Sequence, residues 1–141
     1  MGLITFPASL GQKAYAEKTD AAQTAITTVI DISNLSALTF TVLAGETWEV
    51  ELVCPWNTVD TTGGILFVYI TDAADSIKAT AASASARANA ANVGPVRATE
   101  RITAAGSYTR KGRAQGSAGA GTIQAGTSAP SPVFIKATRV A

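Results

Sequence analysis

Residues 47–71 read TWEVELVCPWNTVDTTGGILFVYIT, and the two halves of this stretch decide the fold. In the first half Trp48, Val50, Leu52 and Cys54 alternate with Glu49, Glu51 and Val53, the period of two that marks a strand with one buried and one wet face. Trp48 and Cys54 therefore point inward. Residues 57–64 have the composition of a turn. The second half, Ile65, Leu66, Phe67, Val68, Tyr69 and Ile70, is apolar on both faces, and such a strand must be covered on both sides. One side can be the domain's own core. A chain of 141 residues has little left to cover the other, so the sequence predicts that a second copy does. Either alternate set could face that copy; Ile65, Phe67 and Tyr69 are the expected subunit contact.

Working outward, residues 25–33 (AITTVIDIS) are β-branched and alternate, which predicts one strand, with a turn at 34–36. Leu38, Phe40 and Val42 share one face of the next strand, against Thr39 and Thr41. Residues 72–93 are rich in alanine, the best helix former. They nevertheless lack an apolar stripe of helical period and carry scattered Ser and Thr that compete for backbone groups. The prediction is a turn at 72–75, then a strand or loop of small side chains against another surface. Residues 96–103 alternate Val96, Ala98, Glu100 and Ile102 with Arg97, Thr99 and Arg101, again a strand. Residues 107–115 predict a polar strand, 116–121 a flexible loop, 122–124 a short strand and 133–140 (VFIKATRV) the final strand. Eight or so short strands with Gly and Pro turns predict an all-β chain, a β-sandwich of jelly-roll type, with a closed barrel as the alternative.

Residues 1–22 show no sustained period and are expected to form an extended arm ahead of a sandwich domain at 23–141. Leu3, Ile4 and Phe6 give that arm apolar anchors for docking onto a neighbour.

Composition excludes several classes of function. Eleven basic and ten acidic residues leave a formal charge of +1, which attracts neither nucleic acid nor anionic membrane. The longest apolar run is too short to span a bilayer, and the first residues lack the pattern of a signal peptide. The chain has no histidine, which removes Ser-His-Asp and Cys-His nucleophiles and the commonest metal ligand. Its single cysteine, Cys54, reads as a buried free thiol. Glu49 and Glu51 share a strand face as a carboxylate pair would, and a solvated face explains them better. Asp72 and Asp75 have a spacing that could hold a cation but is common in turns. Residues 112–122 (GRAQGSAGAGT) look superficially like a phosphate loop without its lysine or following helix, so a loop is the better reading. Arg97, Arg101, Arg110, Lys111 and Arg113 form a basic cluster in the sequence, read as solvated faces or subunit contacts. No enzyme, cofactor or metal is expected.

Five segments in order, QTAITTVIDIS (23–33), LSALTFTV (35–42), ILFVYITD (65–72), SARANAANVG (85–94) and SPVFIKATRV (131–140), resemble a small virion surface domain of tailed bacteriophages of actinobacteria. The resemblance covers about residues 23–141. It implies a jelly-roll-like structural domain, commonly trimeric, on the particle surface or at a tail-fibre tip, with no catalytic residues. A fibre tip needs a shaft, and only an arm of about 22 residues precedes this domain. The leading expectation is therefore a trimeric capsid decoration protein, bound to the major capsid protein through Leu3, Ile4 and Phe6. The alternative is a receptor-binding tail protein that meets a host-surface glycan through loops at 56–64 and 116–121. A carbohydrate-binding module with Trp56 as its aromatic is the third reading.

Overall fold

The computed structural model describes residues 11, 13–84, 88, 92–123 and 132–141, with backbone alone for 92–94. Leu3, Ile4 and Phe6 lie outside the described residues. Eleven strands follow one another: β1 (Lys13–Lys18), β2 (Gln23–Ile26), β3 (Ile30–Asp31), β4 (Leu38–Val42), β5 (Trp48–Val59), β6 (Ile65–Thr71), β7 (Ile77–Ala84), β8 (Asn92–Ile102), β9 (Gly106–Ser117), β10 (Gly121–Ile123) and β11 (Val133–Arg139). Among the described residues there is no helix.

Two antiparallel sheets face each other, the jelly-roll sandwich that the strand pattern predicts. In the first, β5 is central: β8 pairs along one side, while β11 and then β10 pair along the other, extended by β1 and β2. In the second, β9 is flanked on one side by β3 and β4, lying end to end, and on the other by β6, with β7 at the edge.

Trp48, Val50, Leu52 and Cys54 of β5 face Leu66, Val68 and Ile70 of β6 across the interior, all buried. Complete burial of side chains such as Leu66 and Ile70 contributes about 1.5–3 kcal/mol each. Phe40 stacks between Trp48, at 5.2 Å, and Tyr108, at 5.9 Å. Trp48 Nε1 donates to buried Glu46, which also accepts from the Leu43 N–H. Cys54 has no exposed surface, and burial pushes its thiol up to about 12, so it stays a neutral packing group.

Four expectations are corrected. The arm at 1–22 is too long, because Lys13–Lys18 is strand β1, paired with β11 from Lys13↔Thr138 to Lys18↔Val133. Its inward residues are Ala14, Ala16 and Lys18, too weakly apolar to show as a strand in sequence. The single strand at 25–33 is two: β2 belongs to the first sheet and β3 to the second, so the chain crosses between layers at 27–29. β5 does not give way to a turn at Asn57 but runs on to Val59. Between Cys54↔Val96 and Trp56↔Val93 the β8 side carries one residue more, a bulge next to Pro55 and Pro95, neither of which can donate to the ladder. Finally, Gly116 is not loop but strand β9. A side chain there would meet the Ile26 carbonyl oxygen at 2.3 Å and the Gly119 oxygen at 2.6 Å.

From residue 72 to 84 the alanine-rich stretch forms the turn and then the strand that the sequence offers. Asp72 closes a turn by accepting from the Ala74 and Ser76 N–H groups, at 3.0 and 2.9 Å. Strand β7 then packs Ala79 and Ala81 against the core.

Candidate contact face of the second sheet

The side chains of β6 divide cleanly. Leu66, Val68 and Ile70 fill the sandwich interior, while Ile65, Phe67 and Tyr69 point outward from the second sheet. Register places a small or polar residue beside each of them. Ile65 lies between Ser117 and Ala84, Phe67 between Gln115 and Ala82, and Tyr69 between Arg113 and Thr80. The rings of Phe67 and Tyr69 stack at 6.1 Å, inclined by 14°. Tyr69 donates its hydroxyl to Gln115 Oε1 at 2.9 Å and is nearly buried by its flanking strands, which raises its phenol above the ordinary value. Phe67 and Ile65 remain half-buried. The result is an aromatic ridge with Thr80, Ala82 and Ala84 low on one flank.

At one end the ridge meets charge. Arg113 Nε lies 2.8 Å from Asp31 Oδ1, and Arg113 Nη1 lies 3.5 Å from Asp75 Oδ2. Lys111 pairs with Asp75 and approaches Asp31 at 3.8 Å. The Lys111 hydrogen bond, aided by Arg113, holds the Asp75 carboxyl below the usual carboxylate range and raises Lys111 in return. Asp72 is likewise lowered, by Lys78 first, 2.9 Å away, and by its turn amides. Asp72 and Asp75 thus spend their oxygens on protein partners. Among the described residues no three Cys, Asp or Glu side chains gather as a metal site would require.

The basic cluster of the sequence is dispersed by the fold. Lys111 and Arg113 sit on this face, Arg97 lies on the outside of the first sheet, and Arg110 turns into the sandwich interior to bind Glu100. Arg97 and Lys136 both hold Glu51, with Lys136 Nζ at 2.9 Å from Oε2. Burial works to raise Glu51, and these two cations outweigh it, so its carboxyl stays below the ordinary value. Glu51 and Val53 are 7% and 4% exposed, so the outer face of β5 is covered by neighbouring strands rather than wet. Phe134, opposite Val53, stacks with Tyr15 at 5.8 Å on this outer face.

The predicted contact loops are also brought together, although strand takes up residues 56–59, 116–117 and 121 of them. Asp60 donates its N–H to the Ala120 oxygen at 3.1 Å, and its Oδ1 accepts from the Ala120 N–H at 2.8 Å. The two turns therefore form one end of the sandwich.

Sequence reasoning missed a polar cluster at the close of β1. Lys18 has no exposed surface, and its ammonium pairs with Asp20 and donates to Ser33 Oγ at 3.2 Å. Asp20 also accepts from the Asn34 amide, while Gln23 bridges the Asp31 oxygen and the Ser33 N–H. Only the inward parity of Lys18, after Ala14 and Ala16, could have signalled it.

Neither the family models nor the curated proteins include a match to this sequence. Solved structures do match. An Eiger TNF from S. frugiperda superposes with a TM-score of 0.52 over 94% of both chains at 10% identity. A VP2 protein of infectious bursal disease virus matches with a TM-score of 0.35 and 16% identity, over 99% of this chain and 39% of that one. The first likeness supports the jelly-roll architecture and, at such identity, nothing beyond it.

Proposed function

We propose that this protein is a non-enzymatic structural protein of a bacteriophage virion, a homotrimer that decorates the capsid surface. The observation that carries the reading is the outward ridge of Ile65, Phe67 and Tyr69. It is apolar and aromatic, set on a rigid central strand and bordered by alanine and threonine, which is the composition of a face made to meet another protein rather than water. The jelly-roll fold and the ordered resemblance of residues 23–141 to virion surface domains support the same reading. A broad sheet face suits a protein whose work is packing against neighbours. In this reading Leu3, Ile4 and Phe6 dock on the major capsid protein, and binding at many sites or through trimer avidity offsets the cost of ordering the segment.

The test is location. Gold-labelled antibody or a cryo-EM map of the particle should place the protein on the head, with density for three copies about one axis. A particle whose head and tail both lack it would overturn the proposal.

The paired turns at Asp60 and Ala120 favour a second reading, a tail-tip protein that binds a host-surface glycan. Label confined to the tail, with binding to host cell walls abolished by changes at Thr61 and Ala118, would establish that reading in place of the first.

A further inference from the structure

β7 ends its sheet on one side, with β8 of the other sheet passing close by. β6 pairs with β7 from Ile65↔Ala84 to Thr71↔Ile77, and among the described residues no strand is hydrogen-bonded to the other side of β7. From Ala79 to Ala84 the edge carries only Ala, Thr and Ser, with no charge and no proline. Lys78, at its start, is engaged by Asp72 at 2.9 Å. An exposed row of N–H and C=O groups is a template for a further strand, and proteins normally blunt it with charge, proline, bulges or brevity. The other edges here show those devices. β1 carries Lys13 and Glu17, β8 carries Pro95, Arg97 and Arg101, and β2, β3 and β4 are four, two and five residues long.

We propose that this edge pairs antiparallel with the same edge of a second copy, across a two-fold axis at Ala81, joining two five-stranded sheets into one continuous sheet. Side-chain parity sets the axis. Ala79, Ala81 and Ser83 are the more covered residues of the strand, and Thr80, Ala82 and Ala84 the exposed ones. Opposed residues in one sheet must share a face, so the axis falls on a residue and not between two. At Ala81 it sets Lys78 against Ala84, Ala79 against Ser83 and Thr80 against Ala82. No like charges are apposed, and every side chain is small enough for strands to close to about 4.8 Å. A charged partner segment would find no counter-charge between Ala79 and Ala84, whereas a second copy needs none. The same patch on both subunits closes a dimer and leaves no open end. The pairing does not use the ridge of Ile65, Phe67 and Tyr69, and holds whether or not that ridge builds a trimer.

The experiment is a charge swap read by sedimentation equilibrium on the full chain. Thr80 and Ala82 are exposed, so substitutions there should keep the fold, checked by circular dichroism. In Thr80→Lys with Ala82→Lys, each lysine meets a lysine of the other copy, and the assembly mass should fall to half that of the wild type. In Thr80→Lys with Ala82→Glu, each lysine meets a glutamate, and the mass should return. A wild-type chain that is monomeric throughout the micromolar range, or a double-lysine variant of unchanged mass, would overturn the proposal. Equal dissociation of both variants would also overturn it, since the loss would then belong to the neighbouring ridge of Phe67 and Tyr69.

Discussion

Arg110 on β9 reaches across the sandwich to Glu100 on β8 and binds it at two points, Nε to Oε2 at 2.6 Å and Nη2 to Oε1 at 2.7 Å. Both side chains are nearly buried, and the guanidinium also lies 5.1 Å over the Tyr108 ring and donates to the Thr109 oxygen at 3.0 Å. The pair joins the two sheets where β8 passes over into β9. Removing one partner leaves a charge stranded in the interior, whereas removing both leaves none. Arg110→Met should therefore cost about 3 kcal/mol, and Arg110→Met combined with Glu100→Leu should recover most of it. Urea denaturation of the two single variants and the double variant measures the difference.

The two faces of β6 should respond oppositely to the same charge. Val68 has no exposed surface, so Val68→Asp buries an unpaired carboxylate and should prevent folding. Phe67 is half-buried on the outside, where an aspartate can reach water. Phe67→Asp should fold, at a cost of about 1 kcal/mol, yet no longer associate through that face. Light scattering paired with thermal melts distinguishes the outcomes.

Acid should loosen the end of β1. The Lys18 ammonium, and next the Asn34 amide, hold the Asp20 carboxyl below its usual range. A carboxyl depressed in the folded state contributes stability that is present above its unfolded value, about 4, and is lost as pH falls through the folded value. Asp20→Asn should lower Tm at neutral pH, because Lys18 keeps its buried charge without a counter-ion. It should also flatten part of the wild-type fall in Tm below about pH 4. Melts across an acid pH series test both effects.

Gly116 should tolerate no side chain. Its Cβ would collide with backbone atoms of Ile26, Gly119 and Gly121, which cannot rotate away. At Gly112 the obstacles are the tips of the Leu35 and Leu52 side chains, at 2.8 and 2.9 Å, which can shift. Gly116→Ala should cost about 3 kcal/mol and Gly112→Ala less, as read from denaturation midpoints.

Truncation separates the anchor from the fold. Removing residues 1–10 should leave Tm nearly unchanged, since β1 begins at Lys13, and should abolish particle binding if Leu3, Ile4 and Phe6 are the anchor. Removing residues 1–22 should lower Tm as well, because β11 then loses the strand that pairs with it from Val133 to Thr138. Melts and co-sedimentation with particles give the two readouts.

By itself the sequence determined the all-β class, the inward set Trp48, Val50, Leu52 and Cys54, the β4 face of Leu38, Phe40 and Val42, and the two-faced character of β6. Each follows from a period of two that the backbone imposes locally. For residues 77–84 it favoured a strand or loop over a helix, since small side chains without a helical stripe have no face to bury as a helix, and the choice of strand came only from pairing with β6. Tertiary structure alone decided which face of β6 points outward, because Leu66 and Phe67 are equally apolar and only the opposing sheet distinguishes them. It alone split residues 25–33 between two sheets, turned Arg110 inward to Glu100, and buried Lys18 beside Asp20. Those placements depend on how the strands pack, and hydrophobic patterning carries no signal for a charged side chain that turns inward because a carboxylate meets it there.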